Sequence, residues 1–217
     1  MNTPNWGPHF SDEWIERIIA YQKGELTTTT RPDPNNPQYW QEAYGGGTNA
    51  NVDWYGEIYK NHNFSQEHNL SVSGGTDKIN YYFSANFSNQ EGMIRWGKND
   101  KKTYMLNGRI GAQLFPWLRF GYSTRWTRQD YTRPATLTDN LYQSIGRQGW
   151  PTLPVYDNNG FFFDAPSPIN GLATAGEDNT QTDRNVHQLE LVFNPLKGWD
   201  IHAEFNYNIL SQTRHWG

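Results

Sequence analysis

Hydrophobic and polar residues alternate along several long stretches of this chain. From Phe83 to Ser88 the odd positions are apolar and the even positions are serine or asparagine. Side chains of a β-strand point alternately to its two sides, so this period of two predicts a strand with one apolar and one polar face. The same alternation predicts about six strands, near residues 67–74, 79–89, 101–114, 118–129, 184–194 and 200–213.

The connections between these strands alternate in length. Short turns join the strands of three predicted hairpins, whereas longer segments, near residues 90–100 and 130–183, separate the hairpins. Outer-membrane β-barrels have this arrangement, with tight turns at one end and long loops at the other. The predicted strands also exceed the ~5–6 residues usual in globular sheets. We therefore expect an all-β fold, an antiparallel segment of a transmembrane β-barrel; a soluble, aromatic-rich β-sandwich that binds carbohydrate is the alternative.

The first part of the chain has a different pattern. Residues 11–23 are predicted to form a short helix, because Ser11 can cap its first turn, Asp12 suits the positive end of the helix, and Gly24 can end it. Residues 27–53 contain clustered prolines and glycines and are predicted to be a loop.

The composition excludes several classes of function. The 217-residue chain has a net charge of −4 and a pI near 5.8, so it lacks the basic stripe that binds nucleic acid. It has no cysteine, which excludes disulfides and thiolate metal sites. No run reaches the ~20 apolar residues of a membrane-spanning helix. The six histidines have no metal-binding or catalytic motif spacing, and we predict neither an enzyme nor a cofactor.

Four segments, in order, resemble one family of proteins. They are HNLSVSGGTDKINYYFSANFSNQEGMI from His68, LNGRIGAQLFPWLRFGYSTRWTRQD from Leu106, WPTLPVYDNNG from Trp150 and LELVFNPLKGWDI from Leu189. Together they resemble the start of the barrel in SusC/RagA-type TonB-dependent transporters of the outer membrane of Bacteroidota. The resemblance covers about residues 53–217.

The resemblance implies a multi-pass barrel of about 22 strands that holds a folded plug. It also implies a SusD-like surface lipoprotein as a cap, an oligosaccharide or peptide as ligand, and energy from the TonB complex through parts missing from this sequence. Residues 1–52 would then be the end of the plug and its junction, and residues 53–217 the N-terminal part of the barrel, with a long extracellular loop at about 130–183. We expect a fragment that does not transport by itself.

The predicted polar faces carry the candidate lumen-facing residues. These are Arg109, Arg119, Arg125, Glu190, His202 and Glu204. The arginines would pair with plug carboxylates or contact substrate, and the pairing is favoured. His202 lies on the same predicted face as both glutamates, where a polar lumen wall is favoured over a metal or an acid/base pair. No metal site is predicted.

The long loop carries the candidate ligand-contacting aromatics Trp150, Tyr156 and Phe161. Aromatic side chains are common in binding pockets. Packing of the loop on itself and contact with the lipoprotein are equal alternatives. Nearby, the segment from Asp157 to Gly160 resembles half of a calcium loop, but its Asn-Gly step favours a turn.

Overall fold

The computed structural model describes residues 10–36, 40–41, 48–148, 150–163 and 168–217. The remaining parts of the expected plug end and of the long loop lie outside the described residues. In chain order the elements are α1 (Asp12–Gln22), β1 (Arg31–Pro32), β2 (Trp40–Gln41), α2 (Trp54–Ile58), β3 (Ser65–Gly75), β4 (Ile79–Glu91), β5 (Asp100–Phe115), β6 (Leu118–Pro134), α3 (Asp139–Gln148), α4 (Pro168–Thr174), β7 (Glu177–Phe193) and β8 (Ile201–Trp216).

The six predicted strands form one antiparallel sheet, which confirms the expected fold class. Its strand order is β3-β4-β5-β6-β7-β8, so each strand pairs with its neighbour in the chain. Turns at residues 76–78, 116–117 and 194–200 lie at one end, and the longer connections lie at the other. The alternative fold, a β-sandwich, needs two large packed sheets. Besides the six-stranded sheet, the described residues contain the two-stranded β1–β2 pair.

The strands extend further toward the long connections than the alternation predicts. Strand β6 continues to Pro134 and β7 begins at Glu177, so the loop expected at 130–183 occupies residues 135–176 and contains α3 and α4. Backbone hydrogen bonds require no particular side chain, so pairing continues through polar residues where the hydrophobic pattern has ended. The prediction that residues 27–53 are all loop was also partly wrong, because β1 and β2 pair within it.

The register aligns the apolar positions of neighbouring strands. Phe83 lies opposite Val72 on β3 and opposite Gly108 on β5. At the far side of the sheet, Phe193 lies opposite Ile201 and Leu191 opposite Ala203, as predicted. A one-residue slip would turn every side chain of a strand to the other face. The sheet therefore has one continuous apolar face and one continuous polar face.

The apolar face is exposed rather than covered. Leu70 is 76% exposed and Phe205 is 63% exposed. These residues belong to a compact sheet unit, which comprises His62–Gly92, Lys98–Arg133 and Glu177–Gly217. Of its described residues, Val192 and Asp178 are the buried ones. Packing of apolar side chains in the interior of the protein therefore does not stabilise this sheet.

A second compact unit contains the buried core. This loop unit comprises the described residues up to Asn61, with Met93–Gly97 and Pro134–Gly176. Its core consists of Trp54, Ile58, Ile94, Leu137, Ile145, Leu153, Ile169 and Leu172. The boundary at residue 52 between a plug end and a barrel stays a prediction.

The helix predicted at residues 11–23 is present as α1. The Ser11 hydroxyl accepts a hydrogen bond from the Trp14 backbone N–H (3.4 Å), and Gly24, with φ of 78°, follows the end of the helix. Of the described helices, none has the length and apolar character needed to cross a membrane.

Backbone hydrogen bonds hold the 150s segment in the loop unit. The Thr48 N–H donates to the Thr152 carbonyl and the Val52 N–H to the Pro151 carbonyl, both at 2.8 Å. The Asn158 side chain reaches Thr30, donating to its hydroxyl at 2.6 Å. These bonds connect the described 150s segment to residues 30, 48 and 52.

Replacing Leu172 by alanine should destabilise the loop unit. Leu172 is fully buried in the core, and truncating a buried leucine costs roughly 2–5 kcal/mol in free energy of unfolding. Hydrogen exchange followed by mass spectrometry should report faster exchange in α4 and its core neighbours. Leu196→Ala, in an exposed turn, is the control, and equal exchange in the two variants would contradict this core assignment.

Candidate functional site

The polar face of the sheet borders a groove of about 770 Å³. Strands β4 to β7 contribute its polar lining. The lining includes Asn80, Ser84, Asn107, Arg109, Arg119, Ser123, Arg125, Gln188 and Glu190. The structure thus brings four of the six predicted lumen-facing residues to one groove.

The three arginines of this groove differ in their partners. Nη2 of Arg119 lies 3.7 Å from Oε1 of Glu190, a loose ion pair between exposed side chains. Nε of Arg125 donates to Oδ1 of Asn107 at 2.8 Å, and the Asn107 amide donates to the Ser84 hydroxyl at 3.0 Å. Arg109 is exposed and has no hydrogen-bond or ion-pair partner within the described part of the chain.

On either side of the groove, a carboxylate accepts hydrogen bonds from amide side chains. Oε1 of Glu67 accepts hydrogen bonds from Asn86 at 2.7 Å and Asn69 at 3.1 Å. Oε1 of Glu204 accepts from Gln188 at 2.7 Å and Asn206 at 2.8 Å. These contacts form ladders of hydrogen bonds between strands.

His202 stands on the same face as the two glutamates. Glu190 and Glu204 are direct cross-strand neighbours, and His202 lies opposite Val192. Across the described residues, no group of three His, Asp or Glu side chains is arranged to hold a metal ion. The arrangement is a polar, exposed wall.

A buried carboxylate joins three strands near the long connection. Asp178, at the start of β7, is 2% exposed. Nε of Arg133 on β6 donates to its Oδ2 at 2.9 Å, and Arg214 on β8 donates to both of its oxygens at 2.7 Å. We call these three residues the strand-end clamp. Sequence analysis missed it, because the residues meet only through the register of long strand extensions.

Two polar clusters lie on the apolar face. Arg128 donates to both oxygens of Asp183 (2.8 and 3.0 Å), and Nε1 of Trp126 also donates to Asp183 at 3.1 Å. Nδ1 of His187 lies 2.9 Å from the Tyr122 hydroxyl and 3.1 Å from that of Thr124. Sequence analysis did not predict the contact between Tyr122 and His187.

The candidate aromatics of the long loop have different environments. Trp150 is half-buried and packs against the core of the loop unit, and its carbonyl accepts a hydrogen bond from Nε1 of Trp54 at 2.8 Å. Tyr156 stacks on Phe162, with 5.1 Å between ring centroids. Phe161 is 71% exposed. The accessible rings are therefore Tyr156 and Phe161.

The segment between these two rings is a turn. Oδ1 of Asp157 accepts the backbone N–H groups of Asn159 (2.8 Å) and Phe161 (2.9 Å). Gly160 has φ of 86°, a conformation that favours glycine. The turn therefore projects Phe161 outward.

Comparison with known proteins finds similarity to a curated receptor and to a solved importer structure. TonB-dependent receptor P26 of Formosa agariphila is 24% identical over 182 residues, which cover 81% of this chain and 17% of the receptor. The solved structure of the RagAB peptide importer in the 'closed-closed' state superposes with a TM-score of 0.66 at 19% identity, over 95% of this chain and 24% of that chain. The chain resembles a SusC/RagA-type TonB-dependent transporter. No protein-family model matches it.

This SusC/RagA-like chain spans less than a quarter of the length of each of these two proteins. The structural match concerns the fold, in which the six strands correspond to a segment of a β-barrel. The two comparisons confirm the resemblance that the four sequence segments indicated.

Replacing Asp178 by asparagine should loosen the strand-end clamp. Arg133 and Arg214 would lose the negatively charged carboxylate to which both donate. Removing one partner of a buried hydrogen bond costs about 1–3 kcal/mol in stability. Hydrogen exchange should increase at the start of β7 and the end of β8. Glu177→Gln, an exposed neighbour, is the matched control. Unchanged exchange in Asp178→Asn would refute the clamp.

Proposed function

We propose that this chain forms a sector of an outer-membrane, TonB-dependent importer of oligosaccharides or peptides that acts with a SusD-like surface lipoprotein. The observation that carries the proposal is the exposed apolar face of a sheet built from long strands. In a barrel of this kind the apolar face contacts lipid and the polar face lines the interior. The residues of the polar groove are then lumen-facing.

The extent of the apolar band supports a membrane location. On β6 the apolar-face positions run from Leu118 to Trp126, after which Arg128 pairs with Asp183. On β5 they run from Leu114 to Tyr104, and Lys102 follows. Roughly ten tilted residues span an apolar band of ~25 Å. Trp117 and Trp126 lie near its two ends, where aromatic girdles are expected.

The His187 side chain, a polar group inside this band, has hydrogen-bond partners. His187 has two hydroxyl neighbours and lies between the rings of Tyr122 and Tyr207, 6.2 and 6.4 Å from their centroids. Burying a polar group is costly unless it is hydrogen-bonded. The contacts of His187 are therefore compatible with a lipid-facing position.

The two outer strands require further strands. Within the described sheet, β3 pairs only with β4 and β8 only with β7. An open sheet edge is not tolerated in the hydrocarbon region, and natural barrels have at least about eight strands. We therefore propose that other strands complete the barrel, that coupling to TonB occurs through other parts of the transporter, and that these six strands do not transport alone.

The loop unit offers the ligand contacts. Tyr156 and Phe161 are exposed on a braced turn, and aromatic rings are favoured in binding sites. Trp150 would support this turn from the core. We propose that the two exposed rings contact the imported oligosaccharide or peptide.

Phe205→Arg should prevent stable insertion into the outer membrane. An arginine at a lipid-facing site near the bilayer midplane costs about 2–4 kcal/mol. The amount of protein in washed outer-membrane fractions should fall for this variant but not for Asn206→Arg, whose side chain lies on the polar face. A soluble chain, or equal membrane levels of both variants, would refute the membrane assignment.

Phe161→Ala should weaken ligand binding by the whole transporter about tenfold, which corresponds to roughly 1.4 kcal/mol. Binding of a panel of oligosaccharides and oligopeptides can be measured by calorimetry on the purified complex. Tyr55→Ala removes another exposed ring of the loop unit and should leave affinity unchanged. Equal affinities for Phe161→Ala and the unmodified protein would exclude this contact.

A further inference from the structure

The hairpin that carries Tyr156 and Phe161 is held at its base by the core of the loop unit. Tyr156 and Phe162 are paired residues of its two arms, and their rings stack. Phe162 packs against the core and meets the Trp96 ring edge-on, with 5.7 Å between the ring centroids. These contacts fix the base of the hairpin, whereas its tip, residues 158–160, lies beyond them.

A separate set of hydrogen bonds fixes the tip. Nδ2 of Asn158 donates to the Thr30 hydroxyl at 2.6 Å and to the Thr30 carbonyl at 3.4 Å. Oδ1 of Asn158 accepts the backbone N–H of Thr29 at 3.4 Å. We call these three residues the tip anchor. Through it, one amide side chain uses both its nitrogen and its oxygen to hold the hairpin to a segment that is distant in the chain.

The segment that receives Asn158 is itself buried and hydrogen-bonded. Thr30 is 1% exposed, and Nη2 of Arg17 on α1 donates to its carbonyl at 3.2 Å. The fully buried Asn49 donates from its backbone N–H to the Thr29 carbonyl at 3.2 Å and from its side chain to the carbonyl of residue 28 at 2.8 Å. A buried, hydrogen-bonded segment opens less readily than an exposed loop. The tip anchor therefore ties the hairpin to a fixed part of the loop unit.

The ring of Phe161 lies between the base and the tip of this hairpin. It is 71% exposed, so packing of the ring itself does little to set its direction. Oδ1 of Asp157 accepts the N–H groups of Asn159 and Phe161, which shapes the turn but does not attach it to the rest of the loop unit. The direction of the ring therefore depends on the two places where the hairpin is held.

We propose that Asn158 is the positioning residue of this turn: the tip anchor holds the two exposed rings in the orientation in which they meet the imported ligand. A binding surface that is already ordered loses less conformational freedom when the ligand binds, and its affinity is higher for that reason. This inference rests on the proposed function, because it requires Tyr156 and Phe161 to contact the ligand.

Asn158→Ala should weaken ligand binding by the purified whole transporter about fivefold, which corresponds to roughly 1 kcal/mol. The turn must then be ordered at the moment of binding. Thr30→Val removes the accepting hydroxyl with little change in volume and should also weaken binding. The double variant should bind no more weakly than Asn158→Ala alone, because both changes remove the same contact. Calorimetry measures these affinities, and the probe is the member of a panel of oligosaccharides and oligopeptides that the unmodified transporter binds most tightly.

Two controls separate positioning from a general loss of structure. Asn159→Ala changes the neighbouring, exposed asparagine and should leave affinity unchanged. Asn158→Ala should lower affinity less in a Phe161→Ala background than in the unmodified protein, because the ring to be positioned is then absent. Ligand binding should also slow hydrogen exchange at residues 28–31 in the unmodified transporter but not in Asn158→Ala, since the Thr29 N–H is linked to the turn through that amide.

The outcomes distinguish this inference from the proposed function. If the unmodified transporter is absent from the outer membrane or binds no member of the panel, the proposed function is refuted. If Phe161→Ala leaves affinity unchanged, the ligand contact is excluded and the positioning role with it. If Phe161→Ala weakens binding but Asn158→Ala does not, or if Asn158→Ala causes the same loss in both backgrounds, the positioning role is overturned while the importer remains.

Discussion

The antiparallel ladder of backbone hydrogen bonds from β3 to β8 is the constraint on which the rest of the sheet depends. It fixes the register, and the register decides which side chains share a face. Phe83 lies between Val72 and Gly108 because of that pairing. The same ladder brings Glu190 opposite Glu204 on the other face. Neither face is a buried core, so the sheet requires an environment that solvates its apolar side.

The ladder also explains where sequence pattern and structure differ. Hydrophobic alternation ends where β6 passes Trp126, yet backbone pairing continues to Pro134. Beyond the apolar band, ion pairs hold the extensions together: first Arg128 with Asp183, then the strand-end clamp around Asp178. Such pairs would be weak between fully exposed side chains. Here Asp178 is buried between two arginines from different strands, so its contacts define how the strand ends align.

The two faces use polar residues in different ways. On the apolar face, the side chains of His187 and Asp183 are hydrogen-bonded. On the polar face, amide side chains donate hydrogen bonds to the carboxylates of Glu67 and Glu204 on neighbouring strands. Within the described residues, Arg109 of the groove has no hydrogen-bond or ion-pair partner on this face. The loop unit has a conventional core and braces its exposed aromatic turn against it.

The sequence by itself determined the strands, their order, their two faces and the resemblance to SusC/RagA-type transporters. These follow from local alternation and turn residues, because a strand's period is a property of neighbouring positions. The sequence also indicated Tyr156 and Phe161 as candidate ligand contacts. It did not indicate that Trp150 packs against a core. Tertiary structure decided the helices within the long loop, the partners of His187 and the clamp at Asp178. Those depend on register between residues distant in the chain, such as Arg133 and Asp178, for which no local pattern exists.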